Sequence, residues 1–113
     1  MIVRLAALDE VFDRVAPLLR AHWQEIAHHK HLAKLAPDWD HYRLSEQNGT
    51  FFAVIAEDGA ALVGYNAYFL VKMIHNAPII LARNDVLYIV PGHRGCGLLR
   101  QLMRLGEAEA YRR

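Results

Sequence analysis

The residues best placed to do chemistry lie in one run, Asn84-Asp85-Val86-Leu87-Tyr88-Ile89-Val90-Pro91-Gly92-His93-Arg94-Gly95-Cys96-Gly97-Leu98-Leu99. An apolar, β-branched segment feeds a glycine-rich turn that opens a helix. Successive backbone N–H groups and the positive end of the helix dipole then converge on one spot, which attracts a phosphate. Gly95 and Gly97 allow backbone conformations and a close ligand approach that a Cβ would hinder. Arg94, Arg100 and Arg104 add positive charge, and residues 92–113 carry a net +3 from five arginines and two glutamates. The predicted chemistry is the binding of an acidic, phosphate-bearing ligand. Without context, the same pattern is a chain turn followed by a solvated cationic helix face, because short Gly-x-Gly patterns recur by chance.

Three further groups carry weaker signals. His22, Glu25 and His29 stand at offsets 0, 3 and 7 on one helix face, as zinc ligands can, with His28 and His31 close by in sequence. No H-E-x-x-H pattern accompanies them and no cysteine assists, so solvated histidines at a helix end are the expectation, with no metal site. Cys96 stands near a helix N-terminus that lowers a thiol pKa, yet nothing else in its surroundings marks a nucleophile. Tyr65, Tyr68 and Tyr88 alternate along strands and read as packing residues, with Tyr68 the one singled out for a polar role near a substrate.

The elements around these residues follow from periodicity. Residues 1–8 form a short apolar run ending at Asp9, an acceptable helix N-cap, and predict a first strand. Val11, Phe12, Val15, Leu18, Leu19, Trp23 and Ile26 recur at helical spacing and predict a helix over about 10–28, kinked at Pro17. A second short helix is expected from Asp38 to Gln47, after Pro37. Thr50 to Ala56 has the β-branched and aromatic content of a buried strand, and Asp58-Gly59 makes a hairpin turn. Return strands are expected from Ala61 to Met73 and from Ile79 to Val90. Pro91-Gly92 stops the last of them, and Leu98, Leu99, Leu102, Met103 and Ala110 mark one face of a closing helix. The order predicts an α+β layer, an antiparallel β-meander covered by helices.

With 113 residues, 54% apolar and 22% charged, the chain suffices for one hydrophobic core, and a single domain over 1–113 is expected. A net charge of +1 gives no general affinity for nucleic acid. One cysteine excludes an intrachain disulfide and suits a reducing compartment, with the cytoplasm as the expected location. The opening Met1-Ile2-Val3-Arg4 lacks the pattern of a secretion signal, and no stretch approaches the length of a membrane span.

In order, spacing and context, the run from Leu87 to Leu99 resembles the signature of the GNAT-type N-acetyltransferase superfamily: a strand, a Pro, then Arg or Gln-x-x-Gly-x-Gly or Ala, then an amphipathic helix. Arg94 takes the first motif position and Gly97 the fourth. Leu99 stands where the family has Gly or Ala, which predicts crowding of the pyrophosphate. The resemblance covers essentially the whole chain, including the kinked helix, the Phe52-to-Ile55 strand and the Leu62-Val63-Gly64-Tyr65 strand. It implies the family's acetyl-coenzyme A-binding N-terminal and central part, lacking the usual C-terminal strands. An exposed strand edge would then favour self-association, as in a homodimer that completes the sheet.

The resemblance also implies roles. Acetyl-coenzyme A (acetyl-CoA) would be the cosubstrate, its pantetheine arm paired with the main chain at Leu87, Tyr88 and Ile89. Arg94, Gly95, Cys96, Gly97, Leu98, Leu99 and Arg100 would hold the pyrophosphate. Asp85 would lie near the acetyl group as the base for an acceptor amine, which is a nucleophile only when neutral; its ordinary reading is a hydrogen-bonding aspartate at a strand end. The acceptor would be a primary amine, of a small molecule or a protein lysine, attacking directly, with His22, Glu25, His28, His29, His31, Trp23, Trp39 and Tyr42 on its side of the site. In the family a later Tyr often reprotonates the departing thiolate, and Tyr111 comes too early to match it. The alternative is a catalytically impaired CoA-binding or protein-interaction module with the same fold.

Overall fold

A computed structural model of the chain describes residues 1–26 and 35–113. The elements run β1 (Ile2–Ala6), α1 (Leu8–Ile26), α2 (Trp39–Gln47), β2 (Phe51–Asp58), β3 (Ala61–Lys72), β4 (Ile80–Ile89), a 3₁₀ turn (Pro91–His93) and α3 (Leu98–Arg112). The four strands form one antiparallel sheet in the order β1-β2-β3-β4, so the expected three-strand meander gains β1 on its far side.

The central strand explains the layering. Six consecutive residues of β2, Phe51 to Ala56, are buried. A strand with one wet face alternates apolar and polar side chains, whereas an unbroken apolar run belongs to a strand covered on both faces. Phe52, Val54 and Ala56 pack with Val63, Ile89, Leu98 and Leu102 under α3. Ile55 packs with Val11, Tyr65 and Tyr88 under α1, and Phe51 and Ala53 pack with Ala67 and Tyr42 near α2.

Specific polar contacts fix the helices. Asp38 caps α2 by accepting from the His41 N–H at 3.1 Å. Glu46 of α2 accepts from the Leu8 N–H at 2.8 Å and so ties α2 to the start of α1. Glu57 receives Arg4 and Arg14, each at 2.8 Å, and these hydrogen bonds pull its carboxyl down to about 2.

Three local expectations need correction. The helix begins at Leu8 rather than after a cap at Asp9. In α3 the buried side is Leu98, Leu102, Gly106 and Glu109, while Leu99 and Met103 point outward. Tyr68 lies on the α3 face, stacked on Phe52 with centroids 5.3 Å apart, away from Tyr42 and Asp85.

Candidate functional site

β4 carries the site because its pairing slips. Ala67 faces Val86 but Tyr68 faces Asn84, so Asp85 is the extra residue of a β-bulge. A bulge bends the strand and re-aims side chains. Here Asp85 turns to the α2 side and accepts a hydrogen bond from the Tyr42 hydroxyl at 2.7 Å. The next residue, Val86, faces the same layer and packs among the residues under α1 and α2. Burial, then the bond to Asp85, pushes the Tyr42 phenol up, so it stays a protonated donor.

Along the same strand a groove of about 400 Å³ runs between α1 and the turn before α3. Leu87, Tyr88 and Ile89 form its floor, with Glu25, Arg94, Gly95 and Leu99 on its rim. Gly95 and Gly97 have φ of +82° and +81°, and a Cβ on either would meet nothing within 4 Å. Backbone conformation, rather than crowding, is therefore what demands glycine there. Gly97 caps α3 without a side-chain partner, and the first helical bond is Gln101 N–H to Gly97 C=O at 3.3 Å. The leading N–H groups of α3 lie before that bond and have no intrahelical acceptor.

The sequence-selected residues of this turn divide by what their side chains do. Leu98 is 2% exposed and belongs to the core, so only its backbone is available to a ligand. Leu99 is 48% exposed and lines both this groove and the one beside Arg100 and Arg104. Cys96 is a free thiol whose Sγ donates to the His93 carbonyl at 3.0 Å. Arg94 reaches across the groove. Its Nε donates to the Ile89 carbonyl at 2.8 Å, and the two ends of its guanidinium meet both carboxylate oxygens of Glu25 at 2.9 Å. Those hydrogen bonds, more than simple charge, hold the Glu25 carboxyl below its ordinary value.

His22 was expected to be solvated at a helix end, and the structure corrects that placement. It is buried, stacks on Tyr88 at 4.7 Å and has Nδ1 2.9 Å from the Tyr65 hydroxyl. Burial pushes the imidazole pKa down, keeping it neutral near pH 7. His22 lines both the groove and an adjoining cavity of about 310 Å³ that also contains Trp23, Tyr42 and Val86. A signal was present: Val15, Leu18, Leu19 and His22 share the apolar stripe of α1, which marks a buried histidine. The rest of the histidine cluster, His28, His29 and His31, lies outside the described residues. Among the described residues no group of three or more His, Cys, Asp or Glu is arranged to hold a metal ion. No described helix is long and apolar enough to cross a membrane.

No protein-family profile matches the sequence, and no curated protein matches it. Solved structures do. A GCN5-related N-acetyltransferase from Ralstonia eutropha JMP134 superimposes with a TM-score of 0.76 at 22% identity, over 98% of this chain and 76% of that one. A ribosomal-protein-alanine N-acetyltransferase from Brucella melitensis biovar Abortus 2308 gives 0.74 at 22% identity, covering 99% and 72%. A predicted acetyltransferase from Clostridium acetobutylicum, solved with acetyl-CoA, gives 0.73 at 17% identity, covering 98% and 73%. By these superpositions this chain has the fold of the GNAT-type N-acetyltransferases.

Proposed function

We propose that the chain binds acetyl-CoA along β4 and transfers the acetyl group to a primary amine. The observation that carries this reading is the continuity of the cleft: groove and cavity meet at His22, and the cavity is joined through Tyr42 to the Asp85 carboxylate. The groove offers main chain at Leu87, Tyr88 and Ile89 for the pantetheine arm. The turn offers Arg94, Arg100 and the backbone of Gly95 to Leu99 for the pyrophosphate. Similarity to a structure that holds acetyl-CoA supports that cosubstrate.

In this reading the amine nitrogen attacks the thioester carbonyl carbon, a tetrahedral adduct forms, and its C–S bond breaks. Asp85 takes the proton that the amine must lose, and the departing thiolate is protonated from the cleft. A carboxylate aimed by Tyr42 suits that task, because the phenol donates to one of its two oxygens. The exposed free thiol Cys96 fits a reducing, cytoplasmic setting.

Calorimetric titration with acetyl-CoA tests the reading, with Arg94→Ala as the comparison. Saturable binding, weakened by the substitution, followed by thiol release with an amine is the expected result. Binding without turnover on a broad amine panel would replace the enzyme with a CoA-binding module. A folded chain that binds no acetyl-CoA would overturn both.

A further inference from the structure

The glycine turn before α3 is held from outside as well as from within. Within it, the His93 N–H donates to the Val90 carbonyl at 3.0 Å, and Cys96 Sγ donates to the His93 carbonyl at 3.0 Å. From outside, two side-chain contacts reach other elements. Arg94 meets Glu25 of α1 at 2.9 Å, and His93 Nε2 stands 3.0 Å from Oδ2 of Asp58. Asp58 ends β2, the buried central strand, and the residue before it, Glu57, is gripped by Arg4 and Arg14. An ionised carboxylate only accepts, so the imidazole N–H is the donor. The bond from His93 is the largest influence holding the Asp58 carboxyl below its ordinary value, with the charge of the chain's amino terminus acting in the same direction. A ligand treats the two contacts differently. Arg94 and Glu25 line the groove, so a pyrophosphate competes for that pair, whereas His93 and Asp58 are not among its described lining residues.

We propose that His93 and Asp58 are positioning residues: their contact pins the turn to the central strand and presets the backbone of Gly95 to Leu99 for a pyrophosphate. This rests on the acetyl-CoA-binding reading and extends its site to two residues that need not touch the ligand. The physical argument is preorganisation. Gly95 and Gly97 give the turn its left-handed conformations, but glycine is equally free to leave them. Ordering such a segment weakens binding unless something orders it beforehand. A contact that survives the entry of the ligand keeps the turn in shape in both states. The proposal has a diagnostic sign. Asp58 is an anion on the support of an anion-binding turn, so simple charge predicts tighter binding when it is removed. Pinning predicts weaker binding.

Calorimetric titration with acetyl-CoA compares the parent chain with Asp58→Ala, His93→Ala, His93→Gln and the double alanine variant. Asp58→Ala and His93→Ala are each expected to weaken binding about two- to fivefold, the range for a partly exposed ion pair. Where an amine turns over, the KM for acetyl-CoA should rise by the same factor with kcat unchanged. The double variant should bind no worse than the weaker single one, because the two side chains act as a unit. His93→Gln keeps a donor within reach of Asp58 and should recover most of the affinity. Unchanged or tighter binding in Asp58→Ala, losses that add in the double variant, or no recovery in His93→Gln overturns the proposal. A fall in the urea midpoint with unchanged affinity of the folded fraction also overturns it, since the pair would then serve stability alone. If the parent chain binds no acetyl-CoA, the cosubstrate reading fails by itself, and the pin is judged by NMR order parameters of the Arg94, Gly95, Cys96 and Gly97 amides. Lower values in both alanine variants than in the parent support the pin, and equal values overturn it.

Discussion

The two faces of the sheet are built from similar residue types and do opposite things. Under α3, Val54 and Leu102 are fully buried, and the one buried amide is satisfied on every side. Asn66 Nδ2 donates to the Tyr68 hydroxyl at 3.1 Å and the Leu102 carbonyl at 3.2 Å, and its Oδ1 accepts from Asn84 at 2.7 Å. Under α1 and α2, the aromatic residues leave cavities between them, and the polar side chains of Asp85 and His22 line those cavities. One strand serves both faces, since Leu87 and Ile89 turn to the closed side and Val86 and Tyr88 to the open one. Dense packing is concentrated where no ligand needs to enter, and the cleft occupies the side that can be left incomplete.

The comparison breaks most visibly if the closed face proves dispensable. Leu102→Ala should cost about 2–5 kcal/mol of stability in urea denaturation, the range for a fully buried leucine. Gly106→Ala tests the same seal by overpacking. A Cβ there would fall 2.6 Å from a Tyr68 ring carbon and 2.9 Å from Asn66 Nδ2, with an expected cost of about 1–3 kcal/mol. In both variants the acetyl-CoA affinity of the folded fraction should be unchanged; a loss of affinity would show that the faces are coupled.

The open face should respond in the reverse way. Asp85→Asn keeps an oxygen to accept from Tyr42 but removes the base, so turnover should fall about hundredfold while the urea midpoint stays nearly constant. Full turnover across pH in this variant would remove Asp85 from the chemistry, and a large stability loss would make it a structural residue.

The fold was legible because its signals are local and repeated. The unbroken Phe51-to-Ala56 run announces a doubly covered strand, and Gly95 and Gly97 announce the turn before α3. The site was legible only along β4 and that turn, where sequence neighbours are also spatial neighbours. The contacts that join distant segments were not. Tyr42 and Asp85 are 43 positions apart, as are His22 and Tyr65, and Glu25 and Arg94 are 69 apart. The bulge that aims Asp85 leaves no mark in residue type, since it arises from pairing with β3. Tyr68 and Tyr65 illustrate the same limit: alternation separates them onto opposite faces but does not say which face holds the cleft.

A smaller effect separates the faces by pH. His22 has a folded pKa below its ordinary value of 6.5 because burial disfavours the charged ring, with nearby Arg94 acting in the same direction and Glu25 against it. The unfolded chain then binds the proton more readily. The stabilisation from a neutral His22 is complete above about pH 6.5 and is lost as pH falls from there through the folded pKa. Stability measured between about pH 7 and 5 should decline, and the double variant His22→Phe, Tyr65→Phe should flatten the decline without leaving either partner's polar atom stranded. An unchanged slope would assign the pH dependence to other groups.

The smallest expected effect lies at the rim, where Glu25 clasps Arg94. Both side chains are about two-fifths exposed, so the pair contributes little to stability, but it occupies the guanidinium that faces the turn. A pyrophosphate entering the groove must compete for Arg94 and approach the Glu25 carboxylate, which repels it. Glu25→Gln weakens the clasp and removes that repulsion, so acetyl-CoA affinity should rise by a few fold, about fivefold at most for an exposed pair. The gain should shrink as salt screens the charges. Weaker binding in Glu25→Gln would reverse the argument: the clasp would then be what holds Arg94 in its binding position, and the rim would belong with the preorganised, structural side of the molecule rather than with its open face.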